Sequence, residues 1–152
     1  MSKALLQLAG LHAYYGHIHA LRGIDLSVST GEIVTLIGAN GAGKSTLINL
    51  LTGQLAPSSG RVLIDGQDFT GARPWRIAHA GVARTFQSVE PFRGMSVIEN
   101  VMLGELYGKD GDPRPSVARR AALEVLERVG LAGKGELNPA ELSVADARRL
   151  EL

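Results

Sequence analysis

Nine residues in the first third of the chain have types and spacing suited to phosphate chemistry. Gly38-Ala39-Asn40-Gly41-Ala42-Gly43-Lys44-Ser45-Thr46 reads as a glycine, four residues, then Gly-Lys-Ser. Glycines let a backbone turn with its N–H groups facing inward, where they cradle phosphate oxygens. A lysine after them supplies a point charge for the outer phosphates, and the next hydroxyl is a ligand for Mg²⁺. A helix beginning here adds the positive end of its dipole.

Such a loop works only between a strand and a helix. Glu32-Ile33-Val34-Thr35-Leu36-Ile37 is a short apolar, β-branched run, which predicts a buried strand. Leu47-Ile48-Asn49-Leu50-Leu51 predicts a buried helix, with Gly53 placed to end it.

The elements around this unit follow from pattern. Ala4 to Leu8 is an apolar run that predicts a first strand, and Tyr14-Tyr15-Gly16 reads as a strand end or turn. From Ala20 to Val28 the chain alternates, with Ile24, Leu26 and Val28 on one face, so a half-buried antiparallel strand is expected. Thr30-Gly31 turns it into the run at Glu32. Arg61 to Ile64 predicts a strand and Asp65-Gly66 a hairpin. Arg73 to Ala80 predicts a short helix with Pro74 near its start, and Val82 to Phe86 another strand.

After Gln87 the character changes. Ser96 and Glu99 have capping-box spacing, and the helix they open is predicted to run to about Leu106. Ser116 to Val129 is amphipathic, with Ala118, Ala122, Val125, Leu126 and Val129 as its stripe. Asn138-Pro139 breaks the chain, and a last helix is predicted from about Ser143 to the terminal Leu152. The expected organisation is an α/β nucleotide-binding core over residues 1–87 and a helical subdomain over 88–152.

Composition sets bounds on function. In 152 residues, 45% are apolar and 20% charged, the balance of an ordinary globular chain. A net charge of +1 gives no case for nucleic acid as a partner. With no cysteine, disulfide and thiol chemistry are excluded, which fits a reducing compartment. No run approaches the roughly 18 apolar residues of a membrane span, and no signal peptide is expected, so a membrane role would come through a partner.

Several segments now stand in an order that resembles the nucleotide-binding subunit of ABC transporters. They are Tyr15-Gly16, residues 38–46, Ser59-Gly60 with Asp65-Gly66, Thr85-Phe86-Gln87, Ser96 to Val101, and Leu142-Ser143 with Arg148-Arg149-Leu150-Glu151. The runs at 81–87 and 14–21 look most like the ATPases of branched-chain amino acid importers. The resemblance implies a P-loop NTPase core of ABC type with an antiparallel region at its N-terminus, and ATP and Mg²⁺ as cofactors. It implies that Tyr15 stacks on adenine, with Tyr14 as the alternative one register away, and that residues 38–46 hold the phosphates. Ser45 and Gln87 would reach Mg²⁺, and Gln87 would join the core to the helical part.

The same resemblance implies two kinds of partner. Transmembrane permease subunits would dock along Glu90 to Val101, where Phe92 and Met95 are candidate contacts. A second ATP-binding subunit would offer its own nucleotide to the signature segment at Ser143 and Ala145. That places the protein at the cytoplasmic face of the plasma membrane, peripheral to it. The signature departs from the family: Ala145 stands where glycine is usual and Asp146 where glutamine is usual.

In the family, a strand ending in aspartate, a catalytic glutamate and a switch histidine follow the signature helix. None of His12, His17, His19 or His79 is placed to substitute as a base, since all precede Gln87. The expectation is therefore an ABC domain incomplete at its C-terminus, poorly stable alone, with apolar faces at Ile33 to Ile37 and Leu47 to Leu51 exposed. Beside the importer ATPase stand two other readings: a nucleotide-binding fragment that does not turn over, and a soluble ABC-type protein unconnected with transport.

Overall fold

A computed structural model of the chain describes residues 4–86, 91–109 and 111–151. It divides into two compact units, Met1–Val82 and Ala83–Leu152.

The first unit is built on long strands. β1 (Ala4–Tyr15) and β2 (Ile18–Ser29) form an antiparallel hairpin. The sequence pattern divides β1 at Gly10, but the strand runs on to Tyr15. Leu8 and Leu11 are both buried although three residues apart, and the register shifts between them. The bulge adds one residue, so Leu11 and Ala13 return to the face that Leu8 occupies. After β2 come α1 (Lys44–Leu51), β3 (Ser59–Ile64), β4 (Gln67–Asp68) and α2 (Pro74–His79). The sheet has the order β2-β1-β3-β4, with every pair antiparallel. Asp65 and Gly66 both have positive φ, at 51° and 80°, as a tight two-residue turn between β3 and β4 requires.

Two predicted strands do not form. Residues 33–40 and 82–86 carry no regular structure, and Ile33 and Ile37 are 94% and 89% exposed. A strand exists only through the ladder that pairs it, and among the described residues no strand runs beside either segment. The expected exposure at 47–51 is also corrected. Leu47 and Leu50 are buried with Leu8, Leu11 and Leu21 in the first unit's core, and only Ile48 of the helix's leucines and isoleucines faces out.

The second unit is helical. α3 (Val97–Tyr107) opens on the expected capping box: Ser96 N–H donates to Glu99 Oε2 at 2.7 Å, and Glu99 N–H donates to Ser96 Oγ at 3.4 Å. α4 (Pro115–Arg128) buries Ala118, Ala122 and Leu126 at four-residue spacing, while Val125 lies at the rim. Ala122 and Leu126 pack with Val97, Ile98 and Leu131 into a separate core. Asn138 caps a short 3-10 turn over Pro139–Glu141. α5 (Val144–Leu150) has Ser143 as its N-cap and Glu151 as its C-cap, and Leu152, to which the helix was expected to run, lies outside the described residues.

Burial predicts the cost of substitution. Leu126→Ala removes a side chain that is 2% exposed and should cost about 2–5 kcal/mol in denaturant unfolding. Ser96→Ala removes a helix cap and should cost about 1 kcal/mol.

Candidate functional site

The phosphate-type loop leads directly into α1. Its chain is exposed from Gly31 to Ala42, and Ala42 N–H donates to Ala39 O at 3.2 Å to close a turn. Gly43 is the N-cap of α1 with φ 89°, and no side chain caps the helix. The first N–H groups of any helix lack intrahelical acceptors, so this end presents free donors to an anion. Lys44 is folded onto the loop: its Nζ donates to Gly38 O at 2.6 Å and Ala39 O at 2.7 Å. Ser45 is exposed beside it and Thr46 is buried beneath.

Gly43 is seated against the β1–β2 hairpin. A Cβ there would stand 2.8 Å from Leu21 Cδ2 and 2.9 Å from Ala20 O. Positive φ and close approach both demand glycine at this position. The ladder skips Ala20, since Ala13 pairs with Leu21 and Tyr14 with His19. The hairpin bulge thus carries the carbonyl on which the loop rests.

The two tyrosines differ in surroundings. Tyr14 stacks on His19, with centroids 4.1 Å apart and planes at 12°. Tyr15 follows Leu11 and Ala13 in phase, on the face that buries them, and is 46% exposed at the strand end. It is therefore the tyrosine with a ring free to meet a planar ligand on the loop's side of the hairpin, whereas Tyr14 is already occupied. Gln87 lies outside the described residues.

In the second unit, Ser143 is the N-cap of α5. Its Oγ accepts the Asp146 N–H at 3.1 Å and donates to Asp146 Oδ2 at 2.7 Å. Lys134 Nζ lies 2.7 Å from the same Oδ2, and Arg149 reaches Oδ1 at 3.4 Å. Asp146 is 8% exposed. The Lys134 ammonium and the Ser143 hydroxyl hold its carboxyl below the ordinary carboxylate range, against the effect of burial. The negative charge expected here is thus balanced by two cations, while the serine hydroxyl is committed to the carboxylate. Val144 and Ala145 are exposed at the helix start. Lys134 has no helical spacing to Asp146, so nothing in the sequence pattern marks it.

Phe92 and Met95 are both exposed, and their segment is held in place by amides. Asn100 accepts the Phe92 N–H at 2.8 Å and donates to Phe92 O and Ser96 O. Asn138 Nδ2 donates to Arg93 O at 2.9 Å.

Residues 21–152 match the family model described as ABC transporter. The chain is 34% identical, over 97% of its length, to a probable branched-chain amino acid transport ATP-binding protein LivG of Methanocaldococcus jannaschii. It is 38% identical over its full length to the high-affinity LivG of Escherichia coli (strain K12). It spans 62% of the first relative and 64% of the second. Among solved structures, an ATP-binding cassette of an ABC transporter in its ADP conformation superposes with a TM-score of 0.81 at 32% identity. That match covers 97% of this chain and 62% of that one.

The Asp146 network predicts an acid response. A carboxyl with a depressed folded pKa contributes stability above its unfolded value, about 3.9, and loses it as pH falls through the folded value. Far-ultraviolet circular dichroism of Lys134→Met should therefore show helix loss beginning at higher pH than in the wild type. Coincident acid transitions would contradict the role given to Lys134.

Proposed function

The chain belongs to the ABC transporter family, and on that premise we propose that it forms the ATP-binding part of an importer's energy-coupling subunit. The observation that carries the reading is the uncapped, glycine-seated start of α1, with Lys44 at its mouth. The loop at 38–46 would hold the phosphates through its N–H groups. Lys44 would exchange two loop carbonyls for phosphate oxygens, and Ser45 would offer its hydroxyl to Mg²⁺. Tyr15 would stack on adenine, an interaction worth about 1–3 kcal/mol for a ring on a base. Gln87 would be the second protein contact of Mg²⁺. When bound, Mg²⁺-ATP supplies the phosphoanhydride whose cleavage resets the transporter, and turnover belongs to the assembled complex.

Residues 1–87 would then be the nucleotide-binding core and 88–152 the helical subdomain. Permease subunits would meet the exposed Phe92 and Met95, whose segment is held by Asn100 at Phe92 and by Asn138 at the Arg93 carbonyl. A second ATP-binding subunit would face Ser143 and Ala145, on the cytoplasmic side of the membrane. Among the described residues, no helix is long and apolar enough to cross a membrane, so attachment would run through the permease. The relatives' names favour branched-chain or related amino acids as cargo.

One feature favours a narrower reading, in which this chain binds nucleotide without completing its partner's site. Ser143 Oγ already donates to Asp146, so it offers no free proton to a phosphate.

Calorimetric titration of the chain with Mg²⁺-ATP tests the binding reading. Lys44→Ala removes a charge-assisted hydrogen-bond donor, so affinity should fall about 10–100-fold. Equal affinity in the variant would remove the loop from the site.

A further inference from the structure

The hairpin tip that seats the loop holds a cluster that phosphate binding does not require. His12 Nδ1 on β1 and His19 Nε2 on β2 are 2.9 Å apart, partly buried. Their rings stack at 5.1 Å with planes at 27°, and Tyr14 stacks on His19 as well. Gly23 lies beside them, where a Cβ would stand in ordinary contact at 3.5 Å from His12 Nε2.

This separation restricts protonation. A hydrogen bond needs one N–H and one lone pair, so the contact survives when neither ring is charged and when one is. With both rings charged there is no acceptor, and two like charges stand in contact. The surroundings do not relieve that state. Across the ladders, His12 faces Arg22 on β2 and Ser59 on β3, and Arg61 pairs with Ala9. His17 lies in the turn, and Tyr14 supplies a neutral phenol. The one carboxylate on these three strands, Asp25, accepts the Gly10 N–H. From α1, Lys44 is the one ionisable side chain, and it is bound to the loop's carbonyls.

His19 immediately precedes Ala20, the bulged residue whose carbonyl meets Gly43. We propose that His12, His19 and Tyr14 form a protonation-sensitive clasp that positions the Ala20 bulge under the phosphate-binding loop, so that nucleotide affinity falls when both imidazoles are charged. His19 is a positioning residue here and touches no ligand. The proposal rests on the ATP-binding reading above.

The test is Mg²⁺-ATP affinity of the full chain between about pH 7.5 and 4.5, a range that runs well below ordinary imidazole titration near 6.5 and so reaches the second, opposed protonation. His19→Phe keeps a ring against Tyr14 but carries no charge. Wild type should lose about tenfold more affinity over this range than His19→Phe, which also cancels the nucleotide's own titration. Superimposable profiles would overturn the clasp. His12→Phe provides a second arm from the other strand: it should flatten the affinity profile as His19→Phe does, and a profile like that of the wild type would also overturn the clasp. No binding of Mg²⁺-ATP by the wild type at the upper pH would instead overturn the ATP-binding reading, and with it the role given to His19.

Discussion

The approach of Gly43 to the β1–β2 hairpin is the contact on which the site depends. It joins the start of α1 to strands that are far from it in sequence, through a glycine held at positive φ against the Ala20 carbonyl and the Leu21 side chain. Any side chain at 43 would meet backbone, which cannot yield as the end of a long side chain can. The helix therefore begins where the bulge places it. Its free N–H groups and the folded Lys44 take their positions from that contact, while Tyr15 is placed by its pairing with Ile18 in the same hairpin. Burial of Leu47 and Leu50 secures the other end of the helix against the same sheet.

The second unit solves a different electrostatic problem. A carboxylate at the start of α5 is favourable to the helix dipole and to the Ser143 cap, yet it is largely buried. Lys134 and Arg149 supply the compensating charge. The outcome is a well-capped helix whose serine is chemically occupied. The same residues that stabilise the fold thereby limit what this end of the helix can offer a ligand.

Much of this was legible in the sequence because it is local. The capping box at Ser96 and Glu99, the turn at Asp65-Gly66, the start of α2 at Pro74 and the order of glycine loop then helix over 38–51 each depend on residues within a few positions of one another, although α1 begins at Lys44, earlier than the apolar run at Leu47 suggests. The stripe of α4 was readable for Ala118, Ala122 and Leu126, though Val125 proved peripheral. Strand character at 32–37 and 82–86 was not decided by composition, since an apolar β-branched run becomes a strand only when another strand pairs with it. The continuation of β1 was hidden because a bulge at Gly10 breaks the alternation that a strand normally shows. Non-local partners were equally invisible: the seat of Gly43 on Ala20, the pairing of Lys134 with Asp146 and the contact of His12 with His19 all depend on topology.

The central claim is that the Gly43-seated start of α1 is the nucleotide site. Backbone amide NMR during titration with Mg²⁺-ATP tests it most directly. Saturable shifts should concentrate at residues 38–46, with Tyr15 and the hairpin tip responding along the same isotherm. Saturable binding that leaves the amides of 38–46 unmoved would contradict it.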